Sequence, residues 1–323
     1  MSQASDTITP LLTFDTAAAE SLAAPLSPGQ LAWRRFKRHR MALLGSVGLV
    51  ALMVFILVGS VLYTEKYANR NDVIHRLEGP SSGHYFGTDS IGRDLFARII
   101  YGGQISLIIG LLSVALALLL GTTIGGLAGY YGGWLDSILM RFTEAALSIP
   151  SLFLLIVLGK LFGSEIPTLK LMGRTFSGSV IVVILVIGLT SWMYLARIVR
   201  ANILSLREMD YIAASRALGV SNTRILVQHL IPNTIAPIIV AATLGLANAI
   251  ISEAYVSFLG LGVQPPTASW GNLMDQSISL IQRGVWWMWL FPSFFIVLTI
   301  LFTNFVGDGL RDALDPRTGK HLG

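Results

Sequence analysis

The sequence predicts an all-α, polytopic membrane protein with six transmembrane helices. Three observations predict it: long apolar stretches, a charged fraction of only 13% where an ordinary soluble domain has about 25%, and basic residues crowded beside particular apolar runs. A bilayer-crossing helix needs about 20 mostly apolar residues. Residues 41–64, 99–135, 175–196, 230–252 and 284–307 contain no Asp, Glu, Lys or Arg, and each is long enough to span. The third span, 138–162, has Arg141, Glu144 and Lys160 near its ends, where such side chains reach headgroups or water. Two stretches exceed one helix, and their surplus is expected to form interfacial helix or loop.

Orientation follows from the cations. Arg34, Arg35, Lys37, Arg38 and Arg40 precede the first span and place the N-terminus in the cytoplasm. Six spans then put segment 197–229 and the C-terminal tail inside as well, and both are basic. The outer connections 65–98, 163–174 and 259–283 carry fewer and better balanced charges, and Trp286, Trp287 and Trp289 fall where an outer aromatic belt is expected. The basic cluster reads as a topology determinant that also suits anionic membrane lipid. It does not read as a nucleic-acid patch, because the next residues enter the bilayer. The first thirty residues, rich in Ser, Thr, Ala and Pro, are expected to be a flexible cytoplasmic tail and not a cleavable signal peptide. The expected organisation is a tail with its basic segment at 1–40, a first transmembrane helix at 41–64, an external loop with a short helix at 65–100, a core at 101–309 and a cytoplasmic tail at 310–323.

Several chemistries are excluded. The chain has no cysteine, so disulfides, Cys-ligated zinc and thiol catalysis are out. Its five histidines are scattered and form no metal-ligand spacing. No phosphate-binding Gly-x-x-x-x-Gly-Lys segment, nucleophile elbow or zincin helix occurs. No catalytic residue or bound cofactor is expected, and any ATP must be bound by another polypeptide.

Gly121, Gly125 and Gly129 recur every four residues, flanked by Gly126 and followed by Gly132-Gly133, and such a stripe permits close helix approach in lipid. Pro232 suits the start of the fifth span, whereas Pro150 and Pro292 lie inside spans and can kink them. Glu253 is the acid at the end of an otherwise uncharged run and is a candidate for the translocation path. Glu144 is placed to pair with Arg141 at helical spacing.

Segment 197–229 is the longest hydrophilic connection inside. After Arg207 and Asp210, residues Ala213, Ala214, Ser215, Arg216 and Ala217 make a helix with little side-chain bulk. Gly219 suits a helix-ending position with positive φ, and Ser221 can cap a second helix. The small surface, with Leu218 and Val220, suits docking into a groove on a partner. Periodicity alone fits an inert surface helix pair equally well.

This segment resembles the EAA loop of ABC importer permeases. Ala213 stands at the family's glutamate position, Ala214 and Ser215 at its two alanines, Gly219 at its glycine, and His229-Leu230-Ile231-Pro232 at its ending. Three further motifs resemble the peptide and nickel branch of that family, specifically its C-type permease: Phe86-Gly87-Thr88-Asp89-Ser90-Ile91-Gly92-Arg93-Asp94, Leu259-Gly260-Leu261-Gly262-Val263-Gln264-Pro265-Pro266, and Gly307-Asp308-Gly309-Leu310-Arg311-Asp312-Ala313-Leu314-Asp315-Pro316-Arg317. Asp89 or Ser90 is expected to cap a short external helix, and Asp308, Asp312 and Asp315 to pair with Arg311 and Arg317.

The resemblance implies the type I ABC importer transmembrane fold in the bacterial cytoplasmic membrane. It implies a homologous B-type permease, two cytoplasmic ATPase subunits holding ATP and magnesium, and an external solute-binding protein. Coupling to an ATPase falls to Arg207, Asp210 and residues 213–221. The implied solute is a di- or oligopeptide, with nickel, glutathione or another small solute as the alternative. A gradient-driven transporter would favour paired charges at mid-membrane, and the sequence offers the reverse.

Overall fold

The computed structural model describes residues 27–162, 167–171, 174–275 and 277–315; the first 26 residues of the expected tail and Arg317 lie outside these. Helix begins earlier than the tail reading expected. Ser27 and Gln30 form a capping box that opens α1 (Pro28–Arg38), and His39 both ends α1 and caps α2 (Arg40–Leu62), its Nδ1 accepting from Ala42 N–H at 3.1 Å. Two short external turns follow, α3 (Glu65–Ala68) and a 3-10 turn at Val73–His75.

The second span is one uninterrupted helix, α4 (Leu95–Tyr131). Its 37 residues reach roughly 55 Å at 1.5 Å per residue, so the surplus expected as loop or interfacial helix extends the same rod. Asp94 caps it by accepting from Ala97 N–H at 2.8 Å. Gly132, at φ +65°, ends it and starts α5 (Gly133–Leu147). The third span is broken: α5 and α6 (Ser151–Phe162) meet at a bend of 78°. Pro150 sits at the break, where it cannot donate to the preceding turn. Among the described residues no ion pair joins Arg141 to Glu144; Asp136 is held instead by Arg200, with Nη2 at 2.6 Å.

A two-stranded antiparallel hairpin, β1 (Leu169–Leu171) with β2 (Arg174–Phe176), precedes α7 (Ser179–Leu206). Then come α8 (Asp210–Ala217), α9 (Asn222–Arg224), a π-helical turn at Ile225–Leu230 and α10 (Ile231–Asn233). The chain finishes with α11 (Ile235–Phe258), α12 (Trp270–Asp275), a 3-10 turn at Ile278–Arg283 and α13 (Trp287–Leu314). Pro292 lies within the first turns of α13 and does not break it. Five helices, α2, α4, α7, α11 and α13, are long and apolar enough to cross a membrane, and the bent α5–α6 pair makes a sixth crossing if it acts as one span.

The glycine stripe of α4 packs against α7 as expected. A Cβ on Gly121 would lie 2.8 Å from Trp192 O and one on Gly129 2.9 Å from Arg200 O, while one on Gly125 would collide with the Ala196 carbonyl. This close approach makes α4 and α7 the spine of the molecule.

Candidate coupling site and solute cavity

At one end of the spine, α7 runs directly into the expected coupling segment. Arg207 folds back so that its Nη1 donates to Gly129 O at 3.1 Å and Tyr130 O at 3.4 Å, satisfying carbonyls that the end of α4 would leave open. Ile212 is the buried anchor of α8, packed with Tyr130, Val199, Ile203, Ile225 and Leu230. From the other side, Tyr130 Oη donates to Asn222 Oδ1 at 2.7 Å, and the Arg216 guanidinium lies 5.4 Å from the centre of its ring. Tyr130 therefore joins α4 to both limbs of the segment.

The turn at Gly219 follows from backbone chemistry. Gly219 has φ +76°, Gly219 N–H donates to Arg216 O and Val220 N–H to Ser215 O. Those two bonds define the Schellman ending of α8. Ser221 stands at the cap of α9 with extended backbone, but its side chain makes no capping bond. Asp210, Ala213, Ala214, Arg216, Ala217, Gly219 and Ser221 are exposed, Ser215 and Val220 are half-buried, and Leu218 projects at 83% exposure. Ala213 therefore faces outward, so the missing glutamate removes a surface carboxylate and no internal contact. The result is a shallow, small-residue platform with one apolar knob, braced from behind by Ile212.

Beside this platform α4, α7 and α11 line an open cavity of about 800 Å³, reaching Leu147 and the end of α13. The wall is mostly apolar; Ser113, Thr190, Ser191, Tyr194, Asn202 and Asn248 are polar residues on it, and among the described residues its charged members are Arg311 and Asp315 at the end of α13.

Glu253 is not part of that wall. It is fully buried, with Oε2 accepting from Ser106 Oγ and Oε1 from Ser257 Oγ, both at 2.8 Å. Ser106 Oγ also accepts from Trp270 N–H, and Ser257 Oγ from Val263 N–H. The carboxylate thus ties α4 and α11 to the 259–270 loop, and in this conformation it cannot touch a solute. Its serines lie 147 positions before it and four after it.

The motif at 86–94 is likewise a framework. Asp89 accepts from Ile91 N–H, Arg93 N–H and Arg93 Nε, the last at 2.6 Å. It caps no helix; Asp94 does. Asp94 Oδ2 also meets His84 Nδ1 at 2.8 Å. Trp287, expected in an aromatic belt, is buried and donates to Thr88 O at 3.1 Å, while Trp286 and Trp289 remain exposed. In the tail, His39 reaches Asp312 at 3.4 Å and Arg35 of α1 donates to Asp315 O at 2.9 Å; the expected partner Arg317 lies outside the described residues.

Comparisons with known proteins agree with this geometry. Residues 121–320 match the family model described as binding-protein-dependent transport system inner membrane component, and residues 27–80 match the N-terminal TM domain of oligopeptide transport permease C. The chain belongs to the inner-membrane permeases of binding-protein-dependent ABC transport systems. Within them it is a C-type permease of the peptide branch. It is 39% identical, over 90% of its length and 91% of the relative's, to the dipeptide transport system permease protein DppC of Alkalihalophilus pseudofirmus. It is 36% identical, over 89% of its length and 88% of the relative's, to the oligopeptide transport system permease protein OppC of Haemophilus influenzae. The fold is similar to a chain of the inward-facing MetNI methionine ABC transporter, with a TM-score of 0.51 at 20% identity over 68% of this chain and 98% of that one.

Proposed function

We propose that the chain is the non-catalytic, C-type membrane subunit of an ATP-driven importer that carries di- or oligopeptides across the bacterial cytoplasmic membrane. The observation that carries the reading is the α8 platform: small exposed residues and a protruding Leu218, braced through Ile212 and Tyr130. It suits insertion into a groove on one of two cytoplasmic ATPase subunits, which bind ATP and magnesium. Both termini then lie inside, the transport core spans 101–309, and the loops at 65–94 and 259–270 face an external solute-binding protein. The 800 Å³ cavity is one half of a translocation path that a homologous B-type permease completes. Its wall is mostly apolar, with Ser191, Tyr194 and Asn248 among the polar groups on it, a lining that suits solutes of varied side chain and demands no fixed counter-charge.

ATP-driven closure of the ATPases would press on α8 and, through Tyr130 and Arg207, tilt α4 and α7 together. Replacing Gly219 by valine places a β-branched residue at φ +76°, at a local cost of about 1–2 kcal/mol. The complex is expected to assemble and hydrolyse ATP while dipeptide uptake falls at least about tenfold, a loss of about 1.4 kcal/mol in coupling. Uptake at the normal ratio to ATP hydrolysis in reconstituted vesicles would refute the coupling role.

A further inference from the structure

We propose that α1 and the first residue of α2 form a binding site for anionic phospholipid headgroups, made by Arg34, Lys37 and Arg38 of α1 and Arg40 of α2 with Leu31 and Trp33 as its apolar rims. One face of α1 is already used. Phe36, 7% exposed, packs with Ala42 and Ala313, and Ala32 lies against the same cluster. Gly309 is needed at this contact, because a Cβ there would collide with Ala42. Arg35 and His39 fasten the same face to the end of α13 through Asp315 O and Asp312. The helix is therefore built and fixed.

The opposite face is left for another occupant. Arg34, Lys37, Arg38 and Arg40 are exposed, and among the described residues none of them lies within 4 Å of a carboxylate. Lys37 rests over the Trp33 ring at 5.0 Å, which leaves its ammonium directed along the helix surface. Trp33 is 57% and Leu31 42% exposed on the flanks of this basic arc. The chain turns at His39 straight into α2, whose apolar run starts at Met41. That junction fixes the depth: the cations stand where the apolar span emerges from the bilayer, among headgroups. A basic face rimmed by Trp and Leu is the pattern of a helix lying in the interface, and the complementary partner is the anionic headgroup. Because α1 clamps the last turn of α13, where Arg311 and Asp315 border the cavity, bound lipid would steady one wall of the solute path.

The test uses the intact complex in neutral detergent, with phosphatidylglycerol and phosphatidylcholine offered as probes and retained lipid counted by native mass spectrometry. The wild type is expected to hold phosphatidylglycerol preferentially. Arg34→Gln with Arg38→Gln should weaken retention about fivefold for each cation removed, whereas Arg34→Lys with Arg38→Lys should keep it. Equal retention of the two lipids by the wild type would overturn the proposal, as would undiminished phosphatidylglycerol retention in the glutamine variant or equal loss in the lysine variant. Shedding of an ATPase subunit by the glutamine variant in lipid-free detergent would assign the face to a protein partner and sink the lipid site. Lipid retention is read without transport, so its failure leaves the peptide-importer reading standing.

Discussion

The two ends of α4 are built on opposite principles. At its start, Asp89, Arg93 and Arg98 are almost wholly buried, Asp94 caps the helix, and Trp270 and Trp287 donate to Ile99 O and Thr88 O. At its end, a single tyrosine and a single arginine hold a platform that is mostly exposed. The first arrangement resists displacement because moving any member strands a buried charge or donor. The second can shift as a unit, since α8 rests on one buried side chain and a few hydrogen bonds. If α8 is the docking contact proposed above, the same rod would give the permease both a fixed frame for the loops and a movable contact at its other end.

The largest effect is therefore expected at the fixed end. Asp89→Ala leaves Arg93 and Arg98 buried without the carboxylate that Arg93 contacts at 2.6 Å and Arg98 faces at 3.9 Å. Breaking such a pair costs about 3–5 kcal/mol, so the variant should fail to give a monodisperse complex in detergent. A normal thermal midpoint would show that water or lipid already compensates these charges and that the two ends do not differ as described.

The movable end predicts a smaller loss of a different kind. Tyr130→Phe keeps the ring beneath Arg216 and removes only the bond to Asn222, worth about 1 kcal/mol. Thermal stability should barely change, while peptide uptake per ATP hydrolysed should drop severalfold in vesicles. An unchanged ratio would count against transmission from α8 through Tyr130.

What the sequence made legible follows the same division. Local chemistry was readable: Gly219 at the end of α8, the glycine stripe of α4, and the apolar lengths that give five of the spans. Long-range partnership was not. Glu253 looked like a path residue because no oppositely charged residue stands near it in the chain; the groups that hold it are Ser257, one turn on in the same helix, and Ser106 on another helix. Asp89 looked like a cap because it precedes a helix, yet Gly92 at φ +82° turns the chain back so that Arg93 meets it. Pro150 was legible as a residue that can kink its span, but not the 78° size of the break, since hydropathy carries no direction.

The smallest effect on the folded subunit is expected at Leu218, and it divides the two ends most sharply. A side chain 83% exposed contributes little to the fold, and surface substitutions away from buried features change stability by about 0.5 kcal/mol or less. Leu218→Asp should therefore leave the thermal midpoint of the permease pair unmoved. If the platform docks as proposed, the same change puts a charge into an apolar groove, and co-purification of the ATPase subunits should fall by at least about tenfold, a cost of about 1.4 kcal/mol. Retained ATPase together with normal uptake would move the docking contact off the Leu218 knob. Loss of thermal stability without loss of ATPase would mean that the exposed end carries fold energy after all, and the contrast between frame and lever would have to be redrawn.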